Sequence, residues 1–92
     1  MDEDKTERQI RRGREAERLL AEPLLNEAFD NLITAYVEAW KQTTYKDTDG
    51  RDRLWQAVNC IGKLREHLRA MVTDGKIAQR HLDDMQGATR DR

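Results

Sequence analysis

"PLLNEAFDNLITAYVEAWKQ", residues 23–42, is the stretch on which the fold turns. Leu25, Phe29, Leu32, Tyr36 and Ala39 recur at spacings of 4, 3, 4 and 3, the period of one helix face. Leu24, Ala28, Ile33 and Trp40 widen that stripe, while Glu27, Asp30, Asn31 and Glu38 keep the far side polar. Such a segment of about 20 residues rises roughly 30 Å. Pro23 has no backbone N–H to donate, which suits the first turn of a new helix.

Downstream, Leu54, Val58, Ile61, Leu64 or Arg65, Leu68 and Met71 repeat at helical spacing, with Trp55 and Val72 beside them. This predicts a second long helix over about 52–73, ending at "TDG" (73–75), where Gly75 can supply a left-handed C-cap. Two long helices of matching length, joined by about eight polar residues, predict an antiparallel hairpin over 23–42 and 52–73. Trp40 and Trp55 then meet near its tip, and Gly62 on the packed face allows a close approach of the facing helix.

The flanking segments are thinner. Thr6 and Gln9 form a plausible capping box for a helix over about 6–20, with Asp2, Glu3 and Asp4 at its positive end. Its apolar residues are Ile10, Ala16, Leu19 and Leu20, and Gly13 costs it about 1 kcal/mol against Ala. The expectation is a solvated helix that docks by its last turn. A short helix over about 76–85 carries Ile77, Ala78, Leu82 and Met85 and is expected to fold back over the hairpin's open end. The expected architecture is all-α, a single helical domain over 1–92 with flexible ends at 1–5 and 86–92.

Composition agrees with helices. Ala, Leu, Glu, Arg and Gln are abundant, Pro occurs once, and charged residues make up 38% of the chain. A net charge of −1 removes the simplest electrostatic argument for a nucleic-acid or membrane partner. Cys60 stands alone, so no internal disulfide is expected. No apolar run approaches the ~20 residues of a membrane span. The acidic "MDEDKTER" start lacks the apolar region of a signal peptide, so the expected setting is the cytoplasm.

The stretch "KDTDGRDRLW", residues 46–55, invites calcium, but the spacing fails. An EF-hand register with Gly50 at the sixth place puts Tyr45 first and Gln56 last, and neither is a suitable ligand. Starting from Asp47 instead puts Asp52 where the sharp turn needs glycine. The acids read better as helix caps: Asp47, Thr48 or Asp49 at the N-cap, Gly50 relieving the turn, Asp52 in the first turn. His67 and Cys60 are about 10.5 Å apart along a helix, too far to share a zinc. No nucleophile–base pair, phosphate loop or metal cluster is legible, so neither enzymatic activity nor a cofactor is expected. "GKIAQRHLDDM" faintly resembles the first helix of a helix-turn-helix, but no recognition helix follows it.

Two surfaces are candidates for recognition. Leu25, Phe29, Leu32, Tyr36, Trp40 and Trp55 carry more apolar bulk than one hairpin seam can hide, which calls for a second layer. That layer is a second copy of the chain or a larger partner; a compact monomeric three- or four-helix bundle is the alternative. Arg8, Arg11, Arg12, Arg14 and Arg18 could meet nucleic-acid phosphates, but residues 1–20 hold six acids against six bases. A salt-paired, solvated helix is the plainer reading of them.

"RGREAERLLAEPLLNEAFDNL" (12–32), "DTDGRDRLWQAV" (47–58) and "VTDGKIAQRHL" (72–82) resemble small helical proteins of tailed bacteriophages and prophages. The likeness covers about residues 11–83 and consists of architectural signatures rather than a catalytic motif. It implies a phage structural or packaging setting in the bacterial cytoplasm, with possible association with the virion. The expected function is a non-enzymatic self-association or protein-docking module in virion assembly. The alternatives are a nucleic-acid-binding packaging accessory using the arginine cluster, and an inhibitor of a host protein.

Overall fold

The computed structural model describes residues 2–90 and the side chains of 5–87. Three helices account for it: α1 (Asp2–Leu20), α2 (Pro23–Gln42) and α3 (Thr48–Arg90). No strand occurs among the described residues. The chain divides into two compact units. Residues up to Leu20 pack with those from His67 onward, and Ala21–Glu66 form the other unit. Of the ends expected to be flexible, Met1, Asp91 and Arg92 lie outside the described residues.

The Ala21–Glu66 unit is the helical hairpin. Pro23 opens α2, and the Glu22 carbonyl accepts from both the backbone N–H and Nδ2 of Asn26, each at 3.1 Å. At the other end the Trp40 carbonyl accepts from the Thr43 N–H at 3.1 Å and from its hydroxyl at 2.6 Å. A tight turn follows, in which Asp47 N–H donates to the Thr44 carbonyl at 3.0 Å. Of the three candidate caps, Asp47 takes the role: its Oδ1 accepts the Gly50 N–H at 3.1 Å. The second helix therefore starts four residues before the expected 52, so Asp49 and not Asp52 is the acid of its first turn. Gly50 lies inside that turn without a positive φ, so it relieves no backbone strain; its missing Cβ leaves room for the capping Asp47 carboxylate.

The less exposed apolar residues of the hairpin are Leu25, Phe29, Ile33, Tyr36 and Val37 on α2 and Leu54, Ala57, Val58 and Ile61 on α3, which the helical period puts on one face of each helix. The helices are antiparallel, because Arg51 lies over Trp40 beside the turn while Arg65 reaches Asp30 and Asn26 well away from it. Between Leu64 and Arg65, the alternatives for one stripe position, Arg65 takes the seam and Leu64 is left exposed. The Arg65 guanidinium stacks 4.9 Å from the Phe29 ring centre and donates to Asp30 Oδ1 at 2.9 Å and to the Asn26 carbonyl at 3.3 Å. Its aliphatic stem covers apolar surface while its charge is satisfied, which Leu could not match at the polar edge of Asp30. Gly62 is not a contact point: a Cβ there would meet nothing within 4 Å.

The other unit departs most from the expectation. The break at 73–75 does not form; α3 runs through "TDG" as regular helix, and no glycine has a positive φ. No separate helix over 76–85 folds back, because those residues continue α3. Helix α1 starts at Asp2, so Thr6 is not its N-cap. It docks through its middle rather than its last turn: Ile10, Gly13 and Ala16 are buried, with Ala16 only 2% exposed, while Leu19 is open. Gly75 and Ala78 are buried on α3. Gly13 and Gly75 are where the helices touch. A Cβ on Gly13 would lie 2.9 Å from Gly75 Cα and 2.9 Å from the Met71 carbonyl oxygen. A Cβ on Gly75 would lie 2.9 Å from Gly13 Cα and 3.0 Å from the Gln9 carbonyl oxygen. Backbone-to-backbone contact at that distance admits glycine alone.

Candidate protein-docking face of the hairpin

The apolar residues singled out in the sequence separate into a packed set and an open set. Phe29 is buried beneath Arg65, and Leu25 and Tyr36 are half-buried in the seam. Leu32, Trp40 and Trp55 remain exposed, Trp40 by 38% and Trp55 by 62%. Trp40 and Trp55 do meet at the turn end, where they line one open pocket with Val37, Leu54 and Val58, about 350 Å³ in volume. Helix phase explains the arrangement: Val37 and Trp40 on α2, and Leu54, Trp55 and Val58 on α3, are each within one turn of each other.

One polar group stands at this pocket. The Arg51 guanidinium lies 4.2 Å from the Trp40 ring centre and donates from Nη1 to the Thr43 hydroxyl at 3.3 Å. This holds the Trp40 indole against the start of α3 and leaves the Trp55 indole free to contact a partner. The lining residues carry no nucleophile, acid or base. The pocket can take an apolar side chain and exclude water from it; it has no groups with which to make or break bonds.

The arginines are brought together only in part. All five are exposed. Arg11, Arg14 and Arg18 line one hollow with Ile10, Gln79 and Leu82, but Glu7 and Glu15 line it too. Arg14 is engaged there: its Nη2 donates to Gln79 Oε1 at 3.2 Å, and Gln79 Nε2 donates to Asp83 Oδ1 at 2.9 Å. Arg12 faces a different hollow with Gln9, His67, Met71 and Asp74. The mixed charge makes this a poor phosphate track.

Among the described residues no three His, Cys, Asp or Glu side chains could share a metal ion, and Cys60 is a free, exposed thiol. No described helix is long and apolar enough to cross a membrane. Sequence reasoning missed a second apolar face on α2, formed by Leu24, Ala28, Leu32, Ala35 and Ala39, all of them exposed. Its signal is the width of the stripe, since Leu32 and Ala39 share the period of Phe29 while Leu24 and Ala28 lie on the flank. No protein-family model, curated protein or solved structure matches the chain.

Proposed function

We propose that this chain is a non-enzymatic helical docking module that acts in the assembly or packaging of a tailed bacteriophage, in the cytoplasm of the bacterial host. The observation that carries the docking reading is the pair of indoles, Trp40 and Trp55, around an open apolar pocket at the turn end of the hairpin. Exposed tryptophan is a frequent anchor of protein interfaces, because covering it removes a large apolar area from water. With roughly 100–150 Å² of the Trp55 side chain in water, covering it contributes about 3 kcal/mol at roughly 25 cal/mol per Å². The phage setting rests on the likeness of residues 12–32, 47–58 and 72–82 to phage and prophage proteins.

A photo-crosslinking amino acid at Val58, in the lining of the pocket beside Trp55 and leaving both indoles in place, introduced in cells producing phage particles, tests the reading. Covalent adducts with a capsid, portal or packaging protein, or with a second copy of the chain, are the expected outcome. Adducts confined to nucleic acid or to a host regulatory protein would overturn it, as would the absence of any adduct.

A further inference from the structure

We infer that the hollow between Trp40 and Trp55 takes an acidic segment of a partner protein. A large apolar side chain of that segment enters the hollow, and an adjacent Asp or Glu carboxylate meets the Arg51 guanidinium at its rim. The inference rests on the docking reading and names the chemistry of the partner. Two arginines of α3 stack on aromatic rings of α2, and they differ in one respect. Arg65, 4.9 Å from the Phe29 ring centre, is completed by Asp30 at 2.9 Å. Arg51, 4.2 Å from the Trp40 ring centre, donates only to the Thr43 hydroxyl, and among the described residues no carboxylate oxygen lies within 4 Å of it.

The acids close to Arg51 in the fold have other tasks or other directions. Asp47 caps the Gly50 N–H at 3.1 Å, and Glu38 pairs with Lys41 at 3.3 Å. Asp49 and Asp52 stand two residues and one residue away along α3, where helix geometry keeps side chains from facing each other. Arg51 is half-buried and held by the indole, so binding an anion there costs little further ordering. Its planar fork matches a carboxylate, and the apolar wall of the hollow begins beside it. Arg51, Trp55, Val58 and Gly62 follow one face of α3 at spacings of 4, 3 and 4. A Cβ on Gly62 would meet nothing within 4 Å, so that face is open beyond Val58 and a segment can lie along it with its acid toward the turn. A nucleic acid fits less well, because its backbone needs a row of cations, and here one guanidinium stands among Asp47, Asp49 and Asp52.

Panning a displayed library of short random peptides on the full chain tests the inference. Peptides recovered on the wild type and not on Trp55→Lys are expected to carry Asp or Glu beside Trp, Phe, Leu or Met. On Arg51→Glu, with helical circular dichroism unchanged, the recovered peptides should carry Lys or Arg in place of the acid. Arg51→Met keeps an unbranched stem against Trp40 and should bind the wild-type peptides about tenfold more weakly, the loss of one charge-assisted hydrogen bond. Trp55-dependent peptides without an acid, or undiminished binding of the acidic peptides to Arg51→Met or Arg51→Glu, overturn the inference and leave docking at the hollow standing. Recovery of no Trp55-dependent peptide overturns both, as does tighter Trp55-dependent binding of oligothymidylate.

Discussion

Gly13→Ala and Gly62→Ala are the same substitution inside helices, and intrinsic propensity predicts that both stabilise, by about 1 kcal/mol each. The structure predicts opposite signs. At Gly62 a Cβ meets nothing within 4 Å, so the propensity gain should appear nearly in full, as about 0.5–1 kcal/mol. At Gly13 the new Cβ would sit 2.9 Å from Gly75 Cα and 2.9 Å from the Met71 carbonyl oxygen, and neither backbone atom can rotate away. Carbon atoms prefer about 3.5–4.0 Å, so the two helices must part by several tenths of an ångström or more. That loosens Ile10, Ala16 and Ala78, the buried residues beside the contact. Overpacking of this kind typically costs about 1–3 kcal/mol. Net of the propensity gain, Gly13→Ala should lose up to about 2 kcal/mol, and the two variants should differ by about 1–3 kcal/mol. Urea melts followed by far-ultraviolet circular dichroism measure the difference, and hydrogen exchange of the α1 amides assigns it to the right unit. Once Gly13→Ala has parted the helices, adding Gly75→Ala should cost less than it does alone, because both act on one contact. Equal stabilisation by Gly13→Ala and Gly62→Ala would show that α1 does not pack here.

Three further outcomes follow from the hairpin. Asp47→Ala removes the oxygen that caps the first turn of α3 and should lower stability by about 1 kcal/mol in thermal melts, with Asp47→Ser recovering most of it. Arg65→Ala should cost about 1–2 kcal/mol, because it removes the cover over Phe29 and the bonds to Asp30 and Asn26; Asp30→Asn alone, at an exposed carboxylate, should cost below about 1 kcal/mol. Trp55→Ala should change the stability of the isolated chain by less than about 1 kcal/mol while abolishing the crosslinks proposed for the docking pocket, since most of that side chain is in water. A large loss of stability in that variant would place Trp55 in the core and remove it from the docking surface.

Much of α2 and its surroundings was legible in the chain itself. Pro23 marks its first turn, and the 4-3-4-3 spacing marks its helical period, although Leu32 and Ala39 of that stripe stay exposed; the polar residues after Gln42 mark a turn, expected at about eight residues and occupying 43–47. These are local signals, because helix phase and proline geometry act over a few residues. The stop at "TDG" was misread for the complementary reason. Asp and Gly weaken a helix locally by about 1 kcal/mol or less each, a deficit that burial elsewhere overrides. Gly75 has no left-handed task; it is glycine because Gly13, far away along the chain, lies against it. Gly13–Ala16 and Gly75–Ala78 share one small-residue spacing, yet nothing in either segment says which partner it meets. Likewise, the sequence left Leu64 and Arg65 as alternatives until Phe29 and Asp30 of the facing helix selected the arginine. By itself the sequence determined that the chain is helical, where α2 begins and ends, and that its apolar surface exceeds one seam. Only the tertiary structure decided which glycines are contacts and which apolar residues stay open, because both depend on pairing between segments that local propensity cannot register.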